Sequence, residues 1–191
     1  MNIPSKKECF KFIKKMKMMS HIIDHSVMVA NVAFFLSGEL KKKFTRLNID
    51  LATSAALLHD ITKTRSFKTK ELHSDTGGEL LTKLGYPETG DIIRQHVILD
   101  SYDWNPQKFD SIIFEHEIVN YSDKRVLHDK VVILEKRLEY ICSKYGTQKE
   151  FKKHITIMWA NTIKLENKIF SHLNFKPDQL SQYIEEKIKR M

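Results

Sequence analysis

Apolar residues recur along this chain at three- and four-residue intervals, and runs that alternate apolar with polar positions are scarce. That spacing predicts an all-α protein. Residues 5–19 read as a first helix, with Ser5 as its cap and Phe12, Ile13, Met16 and Met19 on one face. Residues 21–43 read as a second, whose core stripe is Ile22, Val29, Val32, Ala33 and Leu36, with His25 near it. A third, capped by Asn48 or Asp50, runs to His59 and Asp60, and a basic loop is expected over about 62–70. Gly85 is placed to stop a fourth helix over about 72–84, and Pro87 suits the first turn of a fifth that ends near His96. Residues 97–108 read as a loop, in which Tyr102 and Trp104 either stack on a base or anchor the loop. A sixth helix is expected from about 109 to Asp123, followed by helices near 130–144, 147–171 and 177–190.

A chain of 191 residues with 41% hydrophobic content suits one domain over 1–191 with a core that needs no staples. Its motif-bearing part spans about 21–130, and the helices of about 131–191 are expected to pack on it. Cys9 and Cys142 form no C-x-x-C pair, so neither a zinc knuckle nor a disulfide framework is indicated, and a reducing cytoplasm is the expected location. No apolar run reaches the length of a membrane span, and the N-terminus lacks a signal-peptide pattern.

The formal net charge is +8. Lysines gather at 6–17 and at 41–43, where a solvated helix surface accounts for them. A third basic group, Lys63, Arg65, Lys68 and Lys70, follows His59 and Asp60 directly. A positive field there favours an anionic partner: a small phosphorylated substrate such as a nucleotide, or a nucleic acid.

The chemistry concentrates at His59-Asp60. The pair closes the apolar run from Leu51 to Leu58, and a carboxylate at the buried end of a helix is costly unless it is paired or coordinated. His25, His73, His96 and Asp123 stand at the ends or on the apolar faces of other helices. Each alone reads as a packed core residue. Together they form a His, His-Asp, His, His, Asp series able to hold one or two divalent transition metals. Adjacent residues of a regular helix point about 100° apart, so His59 and Asp60 reach one ion only where the helix ends. His128-Asp129 repeats the dipeptide without the preceding apolar helix and reads as a decoy, while His21 reads as a partly exposed histidine. His116, His154 and His172 lack motif context.

With these residues in order, the chain resembles the HD-domain metal-dependent phosphohydrolase superfamily. The matching positions are His25 with Ser26, Val29 and Ala30; Leu57 through Lys63; His73 with Gly77, Leu80 and Leu81; Ile93 with His96; and Val119 through Lys124. It looks most like the small stand-alone subgroup whose signature is His-Asp-Ile-Gly, except that Thr62 replaces the glycine. The resemblance implies a helical bundle with a metal site at its centre. His25, His59, Asp60 and Asp123 would hold one ion, and His73 and His96 a second bridged by Asp60. The implied activity is hydrolysis of a phosphomonoester, nucleotide or phosphodiester by metal-activated water, using Mn, Fe, Co, Ni or Zn. Catalytic roles fall to Asp60 and Lys63, and substrate contacts to Lys63, Arg65 and Lys124; Lys124 and Arg125 could instead pair with acids such as Glu115. A di-iron oxygenase of the same fold would share this ligand order; the basic helices instead suggest a non-catalytic nucleic-acid-binding or regulatory module with a structural metal, against which the complete ligand set argues.

Overall fold

The computed structural model describes residues 1–100, 112–145 and 149–189. Helix α1 (Lys6–Lys15) starts at a capping box: the Glu8 amide donates to Ser5 Oγ, and the Ser5 amide donates to Glu8 Oε2. Its buried side, Cys9 and Ile13, faces α3 (Ile49–Leu58). At Lys17 the backbone turns left-handed, with φ of 51°. This ends α1 four residues before the sequence suggested and turns Met18 inward, leaving Met19 44% exposed.

Helices α2 (Ser20–Lys41) and α3 form the centre. Ile22, Val29, Val32, Ala33 and Leu36 of α2 are buried as the periodicity predicts, and Phe35 and Leu40 join them. In α3, Leu51, Ala52, Ala55, Ala56, Leu57 and Leu58 are all buried, so the helix is surrounded on nearly every side. Its start is fixed by Asn48, whose Oδ1 accepts from the Leu51 amide at 3.0 Å. Replacing the fully buried Leu58 by alanine at such a site costs about 2–5 kcal/mol.

Residues expected as a basic loop form a short helix, α4 (Lys63–Thr69), closed by Lys70 at φ 61°. None of its residues is buried, so it carries no apolar stripe to betray it. Helices α5 (His73–Lys83) and α6 (Pro87–Arg94) make a tight pair. A Cβ at Gly78 would meet Gly90 O at 2.7 Å, and one at Gly90 would meet Gly78 O at 2.5 Å. Glycine therefore lets the two backbones touch. Gly85, at φ 90°, ends the first helix of the pair, and Pro87 opens the second.

Helix α7 (Glu115–Lys124) begins later than expected; 112–114 are not helical, and the Phe114 amide donates to Glu117 Oε2 at 2.8 Å. The suggested roles of Tyr102 and Trp104 lie outside the described residues. A hairpin of two-residue strands, β1 (Val126–Leu127) and β2 (Lys130–Val131), interrupts the helical pattern and turns at His128, φ 57°. It delays the next helix, α8 (Leu134–Tyr145), by several residues. Then follow α9 (Lys149–Phe170), a 3₁₀ turn (Pro177–Gln179) and α10 (Leu180–Ile188). Helix α9 packs on α7 and α8, and α10 returns to α2 through stacking of Tyr183 on Phe35. Among the described residues no helix is long and apolar enough to cross a membrane.

Candidate metal centre

The six residues singled out at the sequence level converge from five places in the bundle. His25 comes from the second turn of α2, and His59 and Asp60 from the end of α3. His73 opens α5, His96 lies just past α6, and Asp123 is near the end of α7. Because α3 stops at Leu58, the next two residues turn both side chains into the same space. His59 is 0% exposed, and His25, Asp60, His96 and Asp123 are also buried. Asp123 Oδ1 lies 3.0 Å from His25 Nε2 and 3.7 Å from His59 Nε2. Asp60 Oδ1 lies 3.2 Å from His73 Nε2 and 3.7 Å from His96 Nε2, while His59 Nε2 is 3.4 Å from Asp60 Oδ2.

Three of the imidazoles are oriented in the same way. His25 Nδ1 faces His128 O at 2.9 Å, His59 Nδ1 faces Ala56 O at 2.7 Å, and His96 Nδ1 faces Ile93 O at 2.6 Å. A carbonyl only accepts, so each of those nitrogens carries a ring proton and each Nε2 faces the centre, that of His25 within hydrogen-bonding distance of Asp123 Oδ1; once deprotonated, each Nε2 offers a lone pair to an ion. Two atoms there are left without a hydrogen bond: His59 Nε2 and Asp60 Oδ1. Buried lone pairs without donors are costly, and a cation among them removes the cost. His25, His59 and Asp60 form one group able to hold an ion, and Asp60, His73 and His96 form another, with Asp60 common to both. Burial, reinforced by the neighbouring His59, holds His96 well below the usual histidine range, which keeps its imidazole neutral and able to bind a cation. Burial opposes the charge on Asp60, but His59 and Lys63 outweigh it and keep the carboxyl well below its usual range. Lys124, His25 and Arg137 do the same for Asp123 against the same opposition. The donor set therefore fits one or two divalent ions of the imidazole-preferring kind.

Residues 22–108 match the family model described as the HD domain.

The chain contains an HD domain.

This family consists mostly of metal-dependent phosphohydrolases. The match ends before α7, so Asp123 and everything after it lie beyond the matched HD segment. Among relatives, ribonuclease Y of Fervidobacterium nodosum is 38% identical over 73 residues, which is 38% of this chain and 13% of the ribonuclease. An uncharacterised protein of Methanocaldococcus jannaschii is 23% identical over 146 residues, covering 72% of this chain and 85% of that protein. No solved structure matches the chain significantly.

The basic residues around the HD centre are placed unequally. Lys63 is at its rim, 29% exposed in its side chain, with Nζ 2.7 Å from Asp60 Oδ2. Arg65 turns away to Glu71, Nε to Oε1 at 2.5 Å. Lys124 is buried, donating to His96 O at 2.7 Å and Asp123 Oδ2 at 3.0 Å. Its acid partner is thus Asp123, while Glu115 accepts from the Asn48 amide instead. Thr62, where the subgroup signature has glycine, donates to His73 O at 2.8 Å and so ties the start of α5 to the end of α3. The supposed decoy at His128 contributes through its carbonyl, a contact invisible to motif reading because every residue has one. Arg137, from α8, also reaches the centre, with Nη2 3.6 Å from Asp123 Oδ1. The sequence reading missed it because only the packing of α8 brings it there.

Proposed function

We propose that this chain hydrolyses phosphate esters, monoester or diester, with metal-activated water at the His/Asp centre, and that the centre takes two ions. The observation that carries the reading is the pair of orphaned lone pairs, His59 Nε2 and Asp60 Oδ1, inside two ligand groups that share one carboxylate. His25, His59, Asp60 and Asp123 would hold the first ion, and Asp60, His73 and His96 the second. When bound, such ions lower the pKa of a water to near neutrality and offset charge on a phosphoryl oxygen. The chain's own residues prepare that site. Backbone carbonyls fix three imidazoles as Nδ1–H tautomers, Lys124 holds Asp123 in place, and burial keeps competing water away. Lys63 sits at the rim, where its ammonium can turn from Asp60 to an incoming phosphate. Arg65 is bound to Glu71 and Lys124 is enclosed, so both stand behind Lys63 as substrate contacts. The local likeness to a protein named as a ribonuclease supports including phosphodiesters, RNA among them, in the substrate screen.

Metal content by elemental analysis, on protein purified without chelator, comes first, followed by assay of the loaded protein on p-nitrophenyl phosphate, bis(p-nitrophenyl) phosphate, nucleotides and a short RNA. About two transition-metal ions per chain and turnover of at least one ester are expected. Bound iron with oxygen uptake and no hydrolysis would replace this reading with oxygen chemistry. Salt-sensitive RNA binding without any turnover would replace it with a binding module.

A further inference from the structure

We infer that Arg137, a residue of α8 outside the matched HD segment, is the group that grips the substrate's phosphate at this centre; the inference rests on the phosphohydrolase reading above. The guanidinium reaches the site from α8, beside Asp123. Its helix is anchored by the buried Leu134, and its guanidinium carbon lies 5.8 Å from the centre of the Tyr140 ring. Tyr140 in turn packs edge-on against His128, whose carbonyl orients His25. Arg137 is thus held by the structure that sets the ligands.

Its donors are nonetheless unspent. The side chain is 13% exposed, and Nε is buried with no hydrogen-bond partner. The 3.6 Å separation from Asp123 Oδ1 is an ion pair but too long for a hydrogen bond. Nor does Asp123 need it for neutralisation. Lys124 lies 3.0 Å from one of its oxygens. A guanidinium with five fixed donors, mostly desolvated and bonded to none of the described residues, is an unfinished arrangement. Lys63, Lys124 and Arg137 are close enough to repel one another, and they outnumber Asp60 and Asp123 by one before any metal adds its charge. The planar fork of arginine suits two oxygens of one phosphate, which the point charge of lysine does not. A phosphate group supplies acceptors for the guanidinium and offsets part of this positive charge.

The test uses the full-length, metal-loaded chain and inorganic phosphate as the probe. Phosphate affinity is measured by calorimetry for the wild type, Arg137→Gln and Arg137→Lys. Metal content, melting temperature and KM for p-nitrophenyl phosphate are followed in parallel. Arg137→Gln is expected to weaken phosphate binding and raise KM by about 10- to 100-fold, the scale of hydrogen bonds to a charged group, at unchanged metal content. Arg137→Lys, keeping the charge without the fork, should fall between. Equal phosphate affinity and KM in wild type and Arg137→Gln would overturn the assignment and leave the hydrolase reading standing. So would a loss of phosphate binding accompanied by loss of metal, because Arg137 would then be a prop for Asp123. A loaded wild type that neither binds phosphate nor hydrolyses any ester would overturn both.

Discussion

Helix α7 has two buried polar faces, and they are built to opposite specifications. On one face, Glu117 and Tyr121, with Arg125 just beyond, meet α9 and the turn at Pro177. Lys168 Nζ donates to Glu117 Oε1 at 2.7 Å, and Tyr121 OH donates to Glu166 Oε2 at 2.5 Å. Arg125 makes four hydrogen bonds, to Val132 O at 2.7 Å, Pro177 O at 2.7 Å, Glu166 at 3.1 Å and the Tyr121 hydroxyl. On the other face, Asn120, Asp123 and Lys124 border the histidine cluster. Asn120 and Lys124 donate to His96 O, but beyond them the lone pairs of His59 and Asp60 have no donor. Buried charge that is fully satisfied serves architecture, since each partner exists to offset the other's desolvation. Buried lone pairs that converge without donors suit a cation. Burial and pKa perturbation do not separate the two faces; hydrogen-bond satisfaction does.

The contrast is most severely tested at Asp60, the carboxylate common to both ligand groups. Loss of a partner that merely orients a metal ligand weakens binding about 10- to 100-fold, so Asp60→Ala should cost more than about 100-fold in metal affinity and abolish turnover. Elemental analysis of the purified variant checks this, and ligand-dependent thermal stabilisation by added metal should vanish with it. Retention of the wild-type metal content would mean that the unsatisfied face is not a metal site.

The opposite face should respond in stability alone. Lys168→Met leaves Glu117 buried and unpaired, and the expected loss is about 3–5 kcal/mol by denaturant unfolding of metal-free protein. The folded fraction should still bind metal like the wild type. Adding Glu117→Leu should recover most of the loss, because replacing both members of such a pair by apolar groups is often neutral. A drop in metal affinity in the folded Lys168→Met chain would show the two faces to be coupled through α7.

Most of the unsatisfied face was legible in the sequence, and most of the satisfied one was not. His25, His59, Asp60, His73, His96 and Asp123 stand out because a polar residue at the end of an apolar run contradicts its local pattern. Helix limits at Ser5, Asn48, Gly85 and Pro87 were legible for a related reason, since caps and breakers act within a few residues of themselves. The partnership of Glu117 with Lys168 spans 51 residues, and that of Arg125 with Glu166 spans 41, so nothing local distinguishes those charges from a solvated helix face. Helix α4 escaped because no residue in it is buried, and the hairpin at Val126–Leu127 because two residues cannot display an alternation. Arg137 escaped for the same reason as Lys168: its place is set by how one helix packs on others.

The smallest expected effect concerns which force governs Glu117. Burial raises its carboxyl above the ordinary 4.5, and the Lys168 ammonium pulls the other way without cancelling the rise. The folded chain therefore holds this proton more tightly than the unfolded chain does. The resulting stabilisation is complete below the unfolded value, and it is lost as pH climbs through the raised folded value. Glu166 is raised by burial as well, so the wild-type profile alone mixes two carboxyls of the same sign. Subtracting the unfolding profile of metal-free Glu117→Gln from that of the metal-free wild type isolates the first. The difference should fall as pH rises from about 4.5 toward neutrality. A difference that rises with pH would mean the Lys168 pairing outweighs desolvation. The satisfied face would then add to stability through its charges, beyond merely tolerating them.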